Sequence, residues 1–460
     1  MMQLLIKNGN CVNAEGRFRG DIAIADGKIT QIGQELQAPS GRTIDAEGKL
    51  ILPGVVDAHV HLPWPSANFD SVDDFASGTT AAVCGGVTTV IEYVVPDQSG
   101  RIIPALETRL EAAADNAYCD YSFHLILRQV TDETVADMAE AVRRGLPSFK
   151  IYTAYEGFRL ADDQILRALS VAKELGALVC FHAEDGMLIS FATEQLVGAG
   201  NTGIAYYPDA HPYAADIEAT HRAIVYAQHI GARIHIVHVN TRQGTQMIAN
   251  ARREGMAISA ETCPHYLMFT DDVYRSGRPE AHFFVLAPVI RPKEDSLGLW
   301  RALAADDLQT IGSDHCPYTS EQKLKGQGDF RNVPGGASGV ETSLRLIYTY
   351  GVRQGRFPIE RLVEIMATNP ARVFDLYPRK GVLAVGADAD LVIYDEEGRS
   401  TIDCKCLHSQ TNHSLYEGIE VLGKHTMTIL RGEVVAQDGD LAAARPTGQL
   451  LRRKRYEMSD

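Results

Sequence analysis

Val55-Val56-Asp57-Ala58-His59-Val60-His61 is the stretch on which the fold turns. The apolar run 50–56 reads as a buried strand, and two histidines stand two positions apart at its exit. Side chains at i and i+2 of a strand share a face, so His59 and His61 can address one object. Neutral imidazole is a ligand for divalent cations, and a pair converging from one strand end suits that task. A single His-x-His recurs by chance, so the metal reading depends on matching partners at other strand ends.

Outward from that strand, the chain repeats an apolar run followed by a helical period. Strands are predicted at 50–57, 87–94, 120–127, 147–152, 177–183, 232–239, 257–262 and 308–314, with helical stretches such as 73–84, 161–174, 215–228 and 241–254 between them. About eight β-then-α units in series predict a (β/α)8 barrel over 53–384. A doubly wound open sheet is the competitor, but no Gly-x-Gly-x-x-Gly or Gly-Lys-Ser/Thr loop follows any strand. Residues 1–52 and 385–440 have a different texture: short β-like runs such as Asp21-Ile22-Ala23-Ile24, separated by turns such as Ala25-Asp26-Gly27. Both ends are expected to build one small composite β-sandwich, leaving 441–460 as a tail.

Barrel enzymes gather chemistry at the C-terminal ends of their strands. Read there, the first strand offers His59 and His61, the fourth Lys150, the fifth His182, the sixth His238 and the eighth Asp314. Any one has a bland reading as a satisfied core residue. Four histidines, a lysine and an aspartate on five strand ends read instead as a metal site. His235 has the opposite parity to His238 and is expected to face the helices. His124 lies mid-strand, and His315 follows Asp314 with the wrong parity. All three stay outside the predicted shell.

The 460 residues carry a net charge of −15, with 45% hydrophobic and 22% charged residues. That acidic balance argues against nucleic acid or an anionic membrane as partner. There is no run of 18 apolar residues, and the opening segment Met1 to Gly9 is too short in apolar content for a secretory signal, so a cytoplasmic setting is expected. The eight cysteines are scattered, Cys404-Lys405-Cys406 lacks a second pair for structural zinc, and reduced thiols are expected. The basic run Arg452-Arg453-Lys454-Arg455 reads as a solvated or subunit-contacting tail.

Seven motifs together carry a family resemblance: Gly54-x-x-Asp57-x-His59-x-His61, Gly85-Gly86-Val87-Thr88-Thr89, Ser148-Phe149-Lys150, His182-Ala183-Glu184, His238-Val239, Glu261-Thr262-Cys263-Pro264-His265-Tyr266 and Gly312-Ser313-Asp314-His315. Over nearly its whole length the chain resembles the cyclic-amidase branch of the amidohydrolase superfamily: dihydropyrimidinase, hydantoinase and allantoinase. The resemblance implies two divalent metal ions, usually zinc, bridged by Lys150 carboxylated with CO2. His59, His61, Lys150 and Asp314 would hold one ion, and Lys150, His182 and His238 the other. The physics agrees, since an ammonium beside two dications is repelled whereas a carbamate is an anionic bridge. A hydroxide shared by two dications is nucleophilic at neutral pH, and Asp314 would serve as general acid/base.

The implied reaction is hydrolytic opening of dihydropyrimidines or 5-substituted hydantoins to N-carbamoyl amino acids. By resemblance Tyr155 hydrogen-bonds the cyclic amide substrate and steadies the oxyanion, and backbone groups at Ala287 and Gly335 grip the imide. Here Leu286-Ala287-Pro288-Val289-Ile290-Arg291 and Val333-Pro334-Gly335-Gly336 replace the dihydropyrimidinase patterns Ser-Pro-Pro-Leu-Arg and Pro-Asn-Gly. Cys263-Pro264-His265-Tyr266 and the Gly335-Gly336-x-x-Gly339 spacing lean towards allantoinase or some L-hydantoinases, whereas Leu62-Pro63-Trp64-Pro65 departs from the allantoinase Glu-Pro-Gly loop and offers apolar surface at the mouth. No arginine follows His61 to meet a carboxylate, unlike dihydroorotase. Ser148-Phe149-Lys150 separates the chain from mononuclear deaminases, and a full ligand set separates it from metal-free dihydropyrimidinase-related assembly proteins. A homotetramer, with the tail lying across a neighbour, is also implied by the resemblance.

Overall fold

The computed structural model describes residues 4–37, 41–65 and 69–456. The first three residues of the opening segment and the last four of the tail lie outside them. The N-terminal strands are β1 (Leu4–Asn13), β2 (Gly16–Ala25), β3 (Lys28–Gly33), β4 (Arg42–Asp45) and β5 (Leu50–Pro53). Asp26 and Gly27, at φ 50° and 74°, form the left-handed pair that a tight β2–β3 hairpin requires.

Eight parallel strands follow: β6 (Val55–Val60), β7 (Val87–Val94), β8 (Asp120–Ile126), β9 (Ser148–Tyr152), β10 (Leu178–His182), β11 (Ile234–Ile236), β12 (Ile258–Thr262) and β13 (Thr310–Ile311). Each pairs with its neighbours in sequence, and a parallel bridge from Val60 to His315 returns the last strand's exit to the first. This is the expected (β/α)8 barrel. Its helices start and stop where local chemistry directs. Asp74 and Ser77 form a capping box before helix Phe75–Cys84, and Gly176 closes helix Asp162–Leu175 at φ 65°.

The chain then returns through β14 (Leu391–Thr401), β15 (Glu420–Leu430), β16 (Glu433–Gln437) and β17 (Asp440–Leu441). β14 pairs antiparallel with β5, so strands from both ends join one nine-stranded sheet beside the barrel. Ile6, Ile22 and Ile51 from the first half share an apolar core with Leu391, Ile393 and Ile429 from the second. Among the described residues no helix is long and apolar enough to cross a membrane.

Two expectations are corrected inside the barrel. His235 does not face the helices: its ring packs 5.2 Å from Phe374, in the cluster that includes Val56, Ala58, Ile91 and Cys180, and its Nδ1 lies 2.8 Å from Ser259 Oγ. Strand alternation fails because His238 takes φ 40°, a left-handed step that resets the phase. The basic run is not uniformly solvated. Leu451 donates its N–H to Tyr121 O, Arg453 to Gly145 O and Tyr456 to Gly176 O, so the tail runs along its own barrel. The Arg453 guanidinium is buried, donating to Ser122 Oγ at 3.0 Å, Phe123 O at 2.6 Å and Ser148 Oγ at 2.7 Å.

Candidate metal centre

β6 delivers His59 and His61 to the barrel mouth, where both Nε2 atoms stand 3.1 Å from Asp314 Oδ1. On its other side His59 Nδ1 lies 2.6 Å from Glu261 Oε1. A ring whose Nδ1–H donates to a carboxylate turns the Nε2 lone pair outward. That lone pair then faces another electron-rich atom at 3.1 Å, an arrangement that a cation between them would relieve. Space for it depends on Gly312, where a Cβ would stand 2.4 Å from a Glu261 carboxylate oxygen and 2.9 Å from His59 Cβ. Asp314 itself takes φ 50°, which aims its carboxylate across at the β6 histidines.

The four imidazoles form a row. Ring centroids are 5.4 Å apart for His61–His59, 5.3 Å for His59–His238 and 4.5 Å for His238–His182. Burial keeps them neutral, bringing His59 down to about 4 and His238 well below the ordinary histidine range. Neutral rings are the metal-binding form. His182 Nε2 sits 2.7 Å from Glu184 Oε2, which leaves Nδ1 for a ligand.

Lys150 is fully buried, and its Nζ has no hydrogen-bond partner among the described residues. It lies over the Tyr93 ring at 4.7 Å and the Tyr152 ring at 5.3 Å. Loss of water lowers its pKa to about 8, while Asp314 and Glu261 pull the other way. An amine so depressed is partly neutral at physiological pH, and an unpartnered buried polar atom calls for a partner.

Of the nine candidate residues, eight line one cavity of about 230 Å3: His59, His61, His182, His238, Asp314, Tyr155, Ala287 and Gly335. Lys150 is buried outside its wall. Trp64, Tyr152 and Phe158 make one side aromatic, with Trp64 stacked on Phe158 at 5.5 Å. Tyr155 stands at φ 68°, and its hydroxyl donates to Glu184 Oε2 at 2.6 Å.

Three residues with clear work here escaped the sequence reading. Glu261 orients His59, and Glu184 joins His182, Tyr155 and His211. Both were in reach, since Glu184 follows His182 at i+2 and Glu261 stands at the exit of the seventh strand. Lys323 had no such signal. Its buried Nζ donates to Val285 O at 2.9 Å and Pro334 O at 2.7 Å, tying together the two segments that carry Ala287 and Gly335.

The amidohydrolase family model matches residues 50–435. The chain belongs to the amidohydrolase family. Within that family it is 37% identical over 458 residues to a D-hydantoinase of Ralstonia pickettii, covering 99% of this chain and 100% of the relative. It is 36% identical over 464 residues to a dihydropyrimidinase of Rattus norvegicus, covering 99% and 89%. The crystal structure of a dihydropyrimidinase from Brevibacillus agri superposes with a TM-score of 0.97 at 33% identity, over 100% of both chains. This amidohydrolase therefore stands with the cyclic amidohydrolases over its full length, and its family implies a binuclear metal centre. The His59–His61–Asp314 group, with ligand atoms within 4.8 Å of one another, offers one position for it.

Proposed function

We propose that this amidohydrolase hydrolyses the cyclic amide C–N bond of dihydropyrimidines or 5-substituted hydantoins, releasing N-carbamoyl amino acids. Two zinc ions would be held by His59, His61 and Asp314 on one side and His182 and His238 on the other, with carboxylated Lys150 between them. The observation that carries the reading is the unpartnered, depressed Lys150 amine beside a row of neutral histidines. Carboxylation needs the neutral amine, and it turns the one cation of the site into an anion suited to two dications. When bound, the metals supply a water acidic enough to ionise at neutral pH and a pull on the scissile carbonyl.

The chain's own groups do the rest. Asp314 takes the proton of the attacking water and returns it to the leaving ring nitrogen. Tyr155 reaches the cavity with a phenol whose proton rests on Glu184, and donates instead to the carbonyl oxygen once substrate is present. Backbone groups at Ala287 and Gly335, held by Lys323, meet the imide edge. The Trp64–Phe158 wall takes an apolar 5-substituent and excludes water. A homotetramer belongs to the same proposal, and the eight free cysteines support a cytoplasmic setting.

The test is hydrolysis by zinc-loaded protein of dihydrouracil, both enantiomers of 5-phenylhydantoin, and allantoin. Ring opening of the first two compounds with allantoin untouched is the expected result. Turnover of allantoin alone would overturn the assignment and make the Gly335-Gly336 loop the better guide.

A further inference from the structure

Asp314 occupies a left-handed backbone conformation at φ 50°, which a non-glycine residue keeps only when its surroundings over-determine it. The next residue, His315, is held on every side. Its side chain is 1% exposed, and all four of its hydrogen-bonding groups are engaged. The backbone N–H donates to Ser313 Oγ at 3.2 Å, and the carbonyl accepts from the His61 N–H at 2.9 Å. Ring Nδ1 accepts from the Gly339 N–H at 3.1 Å. That contact fixes the tautomer, because a nitrogen receiving an N–H cannot carry a proton of its own. The ring proton therefore sits on Nε2 and donates to Asp73 Oδ2 at 2.9 Å.

Asp73 is fully buried just before helix Phe75–Cys84, and its carboxylate is shared with a distant part of the chain. Oδ2 accepts from Ser409 Oγ at 2.5 Å and Oδ1 from the Gln410 N–H at 2.8 Å. Ser409 and Gln410 lie in the excursion 402–419 that joins β14 to β15 of the terminal sheet. The same excursion is pinned to the barrel rim at further points, among them Asn412, which accepts from the Ser320 N–H at 2.8 Å. His408 meets Glu341 through its N–H at 2.8 Å and Nδ1 at 3.0 Å, and Thr411 Oγ1 donates to Tyr318 O at 2.6 Å.

We propose that His315 and Asp73 are positioning residues for Asp314, and that the 402–419 excursion acts on the reaction through them. One imidazole fixes the exit of β13, the end of the first barrel strand at His61, and the 335–340 segment that carries Gly335. A carboxylate on the terminal sheet's side of the rim fixes that imidazole. The small sheet is then part of the catalytic geometry rather than an appendage to the barrel. This rests on the reading of Asp314 as the general acid/base.

The test uses full-length, metal-loaded Asp73→Asn. The amide nitrogen cannot accept, so it loses the Gln410 N–H if it takes the place of Oδ1, or the His315 and Ser409 donors if it takes the place of Oδ2. We expect kcat to fall about 10- to 100-fold, in the range for removal of residues that orient metal ligands, with KM changed by less than about threefold and metal per chain unchanged. Ser409→Ala reaches the same network from outside the barrel and should lower kcat by about threefold, a smaller effect because the Gln410 N–H and His315 still hold the Asp73 carboxylate. A second readout does not need turnover: the visible absorption bands of the cobalt(II)-loaded protein, which follow ligand geometry at Asp314 and His61, should shift in Asp73→Asn. Wild-type kcat together with an unshifted cobalt spectrum would overturn the proposal, as would a loss of activity that only tracks lost metal or lost fold. If the wild type opens no cyclic amide, the functional reading fails on its own, and the cobalt spectrum still decides the positioning role.

Discussion

Lys150, beneath the barrel mouth, and Lys380, between the barrel and the terminal sheet, are buried almost equally, at 0% and 2% exposure. Their surroundings differ completely. Lys380 Nζ lies 2.6 Å from Asp120 Oδ2, 2.5 Å from Asp390 Oδ2 and 2.9 Å from Asp388 Oδ2. Burial depresses its pKa, but the three carboxylates outweigh burial and raise it above the ordinary lysine range. Lys150 has imidazoles for neighbours and no such partner, so burial wins and brings it to about 8. Depth alone therefore does not set a lysine's charge; the groups that replace its water do. The same contrast bears on a second group of carboxylates. Asp120, Asp388 and Asp390 are as closely grouped as a metal site requires, yet Lys380 already supplies their cation.

The largest effect separating the two lysines is expected from Lys150→Ala, which should abolish ring opening and strip bound zinc while leaving the melting temperature close to wild type. Zinc analysis beside a hydantoin assay reads both, and retention of two zinc ions would break the comparison. Lys380→Met should do the reverse. It takes the shared cation from three buried carboxylates, leaving Asp390 with no other ion pair among the described residues while Asp120 keeps Arg431 and Asp388 keeps Lys28 and Arg379. The loss should cost about 3–5 kcal/mol in denaturant unfolding, with zinc per folded chain unchanged.

A pH titration sharpens the same point. Burial raises the Asp388 pKa, but Lys380, Lys28 and Arg379 outweigh it and bring it to about 2, below its unfolded value of 3.8. A depressed carboxyl contributes stability that is whole above the unfolded value and is lost as pH falls through the folded one. The contribution is about 2 kcal/mol, so Asp388→Asn should flatten the acid limb of a stability curve between roughly pH 4 and pH 2. An unchanged slope would remove Asp388 from the account. The smallest effect belongs to Arg17→Ala. Arg17 joins the terminal sheet to the barrel through Glu360 at 2.6 Å, but its side chain is 51% exposed. Such a surface pair is worth about 1 kcal/mol or less, and a loss as large as that of Lys380→Met would mean that burial is not what distinguishes them.

The metal-binding candidates were legible because strand periodicity and strand ends are local properties. His59, His61, Lys150, His182 and His238 follow from short apolar runs read two residues at a time. The supporting residues were harder because their meaning lies in partners far along the chain: Asp73 with Ser409, Lys380 with Asp120, Arg453 with Ser148. His235 was misread for another reason. Parity counting assumes an unbroken strand, and the left-handed steps at His238 and Asp314 break it at the places where side chains must turn into the site. The step at Asp314 also explains why His315, left outside the predicted metal shell, gave no sign of its tie to Asp73.

The pairing of β5 with β14 also has a consequence for biosynthesis. Leu50-Ile51-Leu52-Pro53 leaves the ribosome early, but its neighbour Leu391–Tyr394 follows only after the whole barrel has been made. At about 5–20 residues per second the wait is roughly 20–70 s. Throughout it the N-terminal strands present an unpaired, fully apolar edge to the cell, a template for association with other nascent chains. A chain halted before residue 391 would carry that edge permanently.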